Sequence, residues 1–187
     1  MPVTALDDRP ALIVVDLQRG TTRNPTVHPI ADIIANASAL ARSFREGGLP
    51  VALATYDLGA AAPGRSDMGG RPATLPPDFA ELVPELTAAA DDMVVTRRTW
   101  SCFAGTPLHA LLQERAVTQV VISGIATSFG VESTARHAYD LGYNVVLAID
   151  AMTDMRAEAH DNSVSRIFPI LGETGATSDI IALSRPR

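Results

Sequence analysis

The run Ala11-Leu12-Ile13-Val14-Val15-Asp16 is apolar without a break until it stops on a carboxylate. A strand with one wet face alternates; a strand this uniformly apolar has both faces covered, as the inner strand of a parallel sheet does. The pattern recurs. Residues 50–56, 92–97, 119–124 and 144–150 read as further strands, and a short sixth is expected near Gly175 to Thr177. Helical spacing fills the intervals. Ile30, Ile33, Ile34, Ala37, Leu40, Ala41 and Phe44 trace one stripe over 30–46, which Gly47-Gly48 stops. Further helices are expected over 106–115, 128–141, 156–168 and 178–183. Strands alternating with helices give a three-layer α/β fold: a mostly parallel sheet of about six strands with helices on both faces. Right-handed crossovers then bring every strand's carboxyl end to one side. Asp16, Tyr56, Arg97, Gly124 and Asp150 fall at those ends, where open α/β sheets bind their ligands.

The chain has 187 residues, room for one domain over 1–187 with a full core. A hydrophobic content of 47% argues against disorder. A formal net charge of -6 disfavours nucleic acid and anionic membrane as partners, which leaves a small molecule. Cys102 is the only cysteine, so no intramolecular disulfide framework exists and a reducing compartment fits. No apolar run reaches bilayer-spanning length, and Met1 to Pro10 lacks the basic and apolar segments of a signal peptide. A cytoplasmic protein is expected. His28, His109, His137 and His160 show no paired ligand spacing, so neither metal nor cofactor is expected. The stretch 58–77, rich in Gly, Pro and Ala, reads as a long surface loop of the kind that serves as a lid.

The candidate chemistry centres on Gly130, in the run from Gly124 through Ile125-Ala126-Thr127-Ser128-Phe129-Gly130 to Ala135. A strand passes into a helix there, and enzymes that attack carbonyls place a nucleophile at such a junction. Here the position holds a glycine, so either the chemistry needs no nucleophile or there is none. Asp16 closes a buried strand; desolvation raises its proton affinity and Arg97 lowers it. It is a candidate general acid or base, or a structural partner of Arg97. Arg97 stays charged at any working pH. It can clamp a substrate carboxylate with two hydrogen bonds, hold Asp16 ionised, or form a plain buried pair. Cys102 is either a relocated nucleophile or core. Ser128 reads as a helix N-cap, and Asp150 as the cap of the turn at 151–154. Gln18 is expected to hydrogen-bond backbone beside the site. Trp100, Phe129 and Tyr56 are candidates for the wall around a ring-shaped ligand.

Four blocks in order resemble the isochorismatase-like hydrolases of the cysteine hydrolase superfamily. They are Asp16-Leu17-Gln18; Arg97 through Ser101-Cys102-Phe103 with Thr106-Pro107-Leu108; Gly124 to Ala135; and Gly142-Tyr143 with Asp150-Ala151. The resemblance implies strand order 3-2-1-4-5-6 and a dimer or larger homo-oligomer with the cleft near a subunit interface. Most members resemble amidases with an Asp, Lys and Cys triad. Asp16, Arg97 and Gly130 line up with it, so two of the three residues depart from it. The true isochorismatases, which hydrolyse a vinyl ether, also lack the thiol. The resemblance further implies a cis Ile125–Ala126 bond and an oxyanion pocket made by the N–H groups of Ala126 and Gly130. The expected activity is a metal- and cofactor-independent hydrolase acting on a small anionic molecule. Asp16, Arg97 and Gly130 form its catalytic set, and Gln18, Trp100, Ile125, Ala126, Ser128 and Phe129 its binding set. The alternatives are a silent ligand-binding member and a thiol amidase using Cys102.

Overall fold

Strand β1 (Pro10–Val15) is buried along its whole length. It lies inside a six-stranded parallel sheet of order β3-β2-β1-β4-β5-β6. The other strands are β2 (Val51–Tyr56), β3 (Met93–Arg97), β4 (Gln119–Ile125), β5 (Asn144–Thr153) and β6 (Glu173–Gly175). The computed structural model describes residues 2–59, 67 and 74–184. Most of the predicted loop at 58–77 therefore lies outside the described residues.

The pleat sends alternate residues of β1 into opposite layers. Leu12 and Val14 pack against Ile33, Ala37, Leu40 and Phe44. Ala11, Ile13 and Val15 pack on the other face with Leu108, Leu112, Val131 and Ala135. In chain order the helices are α1 (Arg19–Thr22), α2 (Ile30–Glu46), α3 (Leu108–Glu114), α4 (Glu132–Asp140), α5 (Ala157–Asn162), α6 (Phe168–Leu171) and α7 (Thr177–Ser184). The cores place α2 and α7 on one face of the sheet and α3, α4 and α6 on the other. β3 alternates buried and exposed residues because it is an edge strand, with Val94 and Thr96 facing outward.

Several boundaries differ from the sequence expectation, each for a physical reason. β5 continues past Asp150 to Thr153, because a register shift between Ile122 and Gly124 lets β4 pair again with Met152 and Thr153. β6 ends at Gly175, since Thr177 already opens α7. Asp150 makes that junction. Its Oδ1 accepts from the N–H and Oγ1 of Thr177, both at 2.8 Å, so it caps α7 and not the 151–154 turn expected of it. The helix expected at 128–141 begins as a π-helical turn (Thr127–Val131), and that expected at 156–168 is α5, a second π-helical turn (Ser163–Ile167) and α6. Helix α1 and a short 3₁₀ turn (Pro84–Leu86) are additions that carry no apolar period.

The order reverses between β1 and β4, and the two carboxyl ends lie side by side there, Val15 opposite Gly124. Gly124 has φ +119, and a Cβ on it would lie 2.0 Å from the Val15 carbonyl oxygen. Neither the backbone angle nor a main-chain neighbour can yield to a side chain. Gly124→Ala is therefore expected to destabilise the fold by at least ~3 kcal/mol, measured by denaturant unfolding. A loss below ~1 kcal/mol would show that the β1–β4 contact is looser than this geometry.

Candidate functional site

Asp16 leaves β1 with φ +52, a left-handed angle that few non-glycine residues adopt. Backbone bonds hold it there: its N–H donates to the Ala54 carbonyl (2.9 Å), and its own carbonyl accepts from Gln18 N (2.8 Å) and from the Thr21 hydroxyl. The partner arrives from β3, two strands away. Arg97 crosses the end of β2 with its guanidinium over the Tyr56 ring, 4.3 Å from the centroid. Its Nε donates to Asp16 Oδ1 (3.0 Å), its Nη2 to Asp16 Oδ2 and its Nη1 to the Thr99 carbonyl. The Asp16 side chain is 2% exposed and that of Arg97 5%. Burial pushes the Asp16 carboxyl up to about 6, while the Arg97 charge and its hydrogen bonds pull the other way.

Gly130 faces this pair. A Cβ on it would stand 2.8 Å from Arg97 Nη2, 3.4 Å from Arg97 Cζ and 3.0 Å from Val15 Cγ1. The guanidinium thus occupies the space a side chain at 130 would need. The Ile125–Ala126 peptide bond next to it is cis. Above lies a cavity of about 540 Å³. The buried Asp16, Arg97, Gly130, Ile125 and Ala126 form its floor and the exposed Trp100, Phe129 and Met155 its mouth, with exposed Asn24 and half-buried Thr21 and Tyr56 on the rim. The Trp100 and Phe129 rings meet edge to face with centroids 5.1 Å apart.

The expected site residues divide accordingly. Asp16, Arg97, Gly130, Trp100, Ile125, Ala126 and Phe129 converge on this one cavity. Gln18 and Ser128 are not on its wall. Gln18 is fully buried and laces backbone together: its Nε2 donates to the carbonyls of Tyr56 (3.1 Å) and Phe79 (2.9 Å), and its Oε1 accepts from Tyr56 N (2.7 Å). Ser128 makes no N-cap hydrogen bond. Its N–H and Oγ both donate to Asp154 Oδ2 at 2.8 Å. Cys102 is buried off the wall, and burial, then the nearby Asp16 charge, pushes its thiol up to about 12. A thiol buried there is not presented to a ligand in this cavity, which disfavours the thiol-amidase alternative.

Asp154 escaped the sequence reading. It is fully buried, and its Oδ1 accepts from the N–H groups of Met155 (2.8 Å) and Arg156 (3.2 Å). One carboxylate therefore ties Ser128, the residue before Phe129 and Gly130 of the wall, to the segment that carries Met155. Its signal was local: an Asp three residues before the start of α5, bonding backbone ahead of itself as Asx turns do. The histidines are engaged elsewhere. His28 and His160 pack edge-on at 4.7 Å, and His109 and His137 bond Tyr143 and Ser101. Among the described residues no group of three or more His, Cys, Asp or Glu could hold a metal ion, and no helix is long and apolar enough to cross a membrane.

The fold is an open α/β sheet of this order with a ligand-sized cleft over its reversal point, the place where such sheets bind small molecules. The chain belongs to the isochorismatase family: the isochorismatase domain matches residues 10–179. It is 35% identical over 176 residues to the uncharacterized isochorismatase family protein YwoC of Bacillus subtilis (strain 168), covering 91% of this chain and 92% of that one. It is 34% identical over 178 residues to YecD of Escherichia coli O157:H7, also an uncharacterized isochorismatase family protein, covering 91% and 94%. An isochorismatase family protein from Burkholderia thailandensis has the same fold, with a TM-score of 0.92, 36% identity, and coverage of 96% of this chain and 97% of that one.

Proposed function

We propose that this protein is a hydrolase that works without a thiol, with Asp16 as its acid and Arg97 as the partner that sets the acid's strength. The observation that carries this reading is the buried two-pronged Asp16–Arg97 pair on the cavity floor, under the bare backbone of Gly130. In the family pattern that the sequence resembles, residue 130 bears the thiol and residue 97 is lysine. Since Arg97 fills the volume in front of residue 130, the two departures act as one replacement.

The chemistry that suits this floor is hydrolysis of an enol ether. The neutral Asp16 carboxyl passes its proton to the vinyl carbon, and the alkene electron pair forms the new C–H bond. The positive charge left on the ether carbon is taken by water, which gives its own proton back to the Asp16 carboxylate. The hemiketal then parts into an alcohol and a ketone. The carboxylate formed in the first step lies on two N–H groups of Arg97, and charge-assisted bonds of this kind favour proton release. The ether oxygen gathers negative charge as its bond to carbon breaks. In this reading the backbone N–H groups of Ala126 and Gly130, two residues of the cavity wall, meet it.

The acid role fixes the sign of the pH dependence. The active form is protonated, so kcat/KM against a panel of small enol ethers is expected to fall as pH rises through about 6. A rate that climbs through that range would make Asp16 a base. A second reading, a silent ligand-binding member, draws on the same pair: both carboxylate oxygens and three guanidinium nitrogens are already engaged within the protein. It predicts ligand-induced thermal stabilisation with no turnover of any enol ether or amide.

A further inference from the structure

The cavity's walls and charges say more about its ligand than its floor does. Trp100, Phe129 and Met155 are 58%, 41% and 44% exposed, and all three line this one cleft. Among the described residues the other exposed large apolar side chains, Val27, Val94, Tyr139 and Ile170, are not on its wall. Apolar surface left open to water and gathered at one concavity marks a binding site. The edge-to-face arrangement of Trp100 and Phe129 leaves aromatic surface at the mouth for another ring to pack on.

The charges point the same way. Among the described wall residues only Asp16 and Arg97 are ionic, and with Asp16 ionised, as in the resting pair, they neutralise each other. The third guanidinium nitrogen is on the Thr99 carbonyl and the Tyr56 ring covers the group. A carboxylate entering this apolar cleft would shed its water and meet no unengaged cation among those residues, a loss that a neutral molecule of the same shape escapes. Asn24 on the rim offers an amide for a neutral polar substituent. A cavity of about 540 Å³ accommodates a single ring with a side arm.

From this we infer that the cleft selects a neutral, planar ring compound and discriminates against its carboxylate counterpart. The inference rests on the reading of this cleft as the substrate site, and it replaces the anionic ligand expected from Arg97 alone. Trp100 is the only tryptophan in the chain, so tryptophan emission reports occupancy of this cleft and nothing else. The test titrates the full-length protein with benzamide, with benzoate (the same shape, charged) and with cyclohexanecarboxamide (neutral, not planar). Benzamide is expected to change the emission saturably and to bind at least ~10-fold more tightly than benzoate, with cyclohexanecarboxamide weaker than benzamide. Phe129→Leu keeps apolar bulk at a half-exposed position, so its melting temperature should match the parent while its benzamide affinity drops several-fold. Equal or tighter benzoate binding, no emission response to benzamide, or an unchanged affinity in Phe129→Leu would each overturn the inference. Binding is read here without turnover, so its failure is separate from a failure of the Asp16 acid role, which the pH profile reads.

Discussion

Asp16→Asn loses turnover by at least ~100-fold, the usual scale for removing a positioned general acid. The substitution keeps the shape of the side chain, but an amide has no acidic proton to give and only one oxygen to accept. Its NH₂ group then faces an N–H of Arg97, donor against donor. The guanidinium, 5% exposed, is left as a buried charge without its counter-ion, which costs about 3–5 kcal/mol. Loss of activity alone would therefore be ambiguous, and the double variant Asp16→Asn with Arg97→Met resolves it. Removing both charges returns much of the lost stability, because neither partner is stranded. It returns none of the turnover. Equilibrium unfolding and enol ether hydrolysis measured on both variants check the two halves. A folded Asp16→Asn protein with unchanged kcat/KM would remove Asp16 from the chemistry altogether.

Gly130→Cys costs about 1–3 kcal/mol in this chain, because the new Cβ must press on Arg97 Nη2 at 2.8 Å and Val15 Cγ1 at 3.0 Å. Arg97→Lys made alone surrenders the two-pronged bond to Asp16 and the layer over Tyr56. Made together, the two changes should cost less than their sum, with a coupling of about 0.5–3 kcal/mol, since the slimmer lysine vacates the volume the thiol needs. The double variant also sets a thiol beside an amine that can lose a proton, so weak amidase activity on small primary amides is its expected gain. Unfolding of the two single variants and the pair completes the cycle. Strict additivity would mean that residues 97 and 130 are independent, and the view of them as one replacement would fall.

Much of this was legible before any coordinates. β1, β2 and β4 are buried on both faces, so their residues form unbroken apolar runs, and periodicity reads such runs well. The convergence of Asp16 and Arg97, 81 residues apart, followed from their places at the ends of parallel strands. Edges and junctions were harder. β6 has three residues, too few to show a period. The π-helical turns that open the helical segment after β4 and interrupt the one after β5 change hydrogen bonding without changing apolar spacing. Asp150 caps α7, and Asp154, which had no expected role, binds the backbone after β5, because each is a carboxylate near a strand end. Which backbone N–H each meets depends on how far β5 runs beside β4, and a register shift decides that.

Side-chain chemistry repeated along a chain is local, and so the order of residues alone dictated the layers, the sheet and the side of it on which the cleft opens. What a pocket does with charge is not local. Whether Arg97 would grip a ligand or its neighbour turned on a few ångströms across the end of β2, on the Tyr56 ring beneath it and on the absence of a Cβ at residue 130. Electrostatic and steric terms change steeply over such distances, and only the packed molecule sets them.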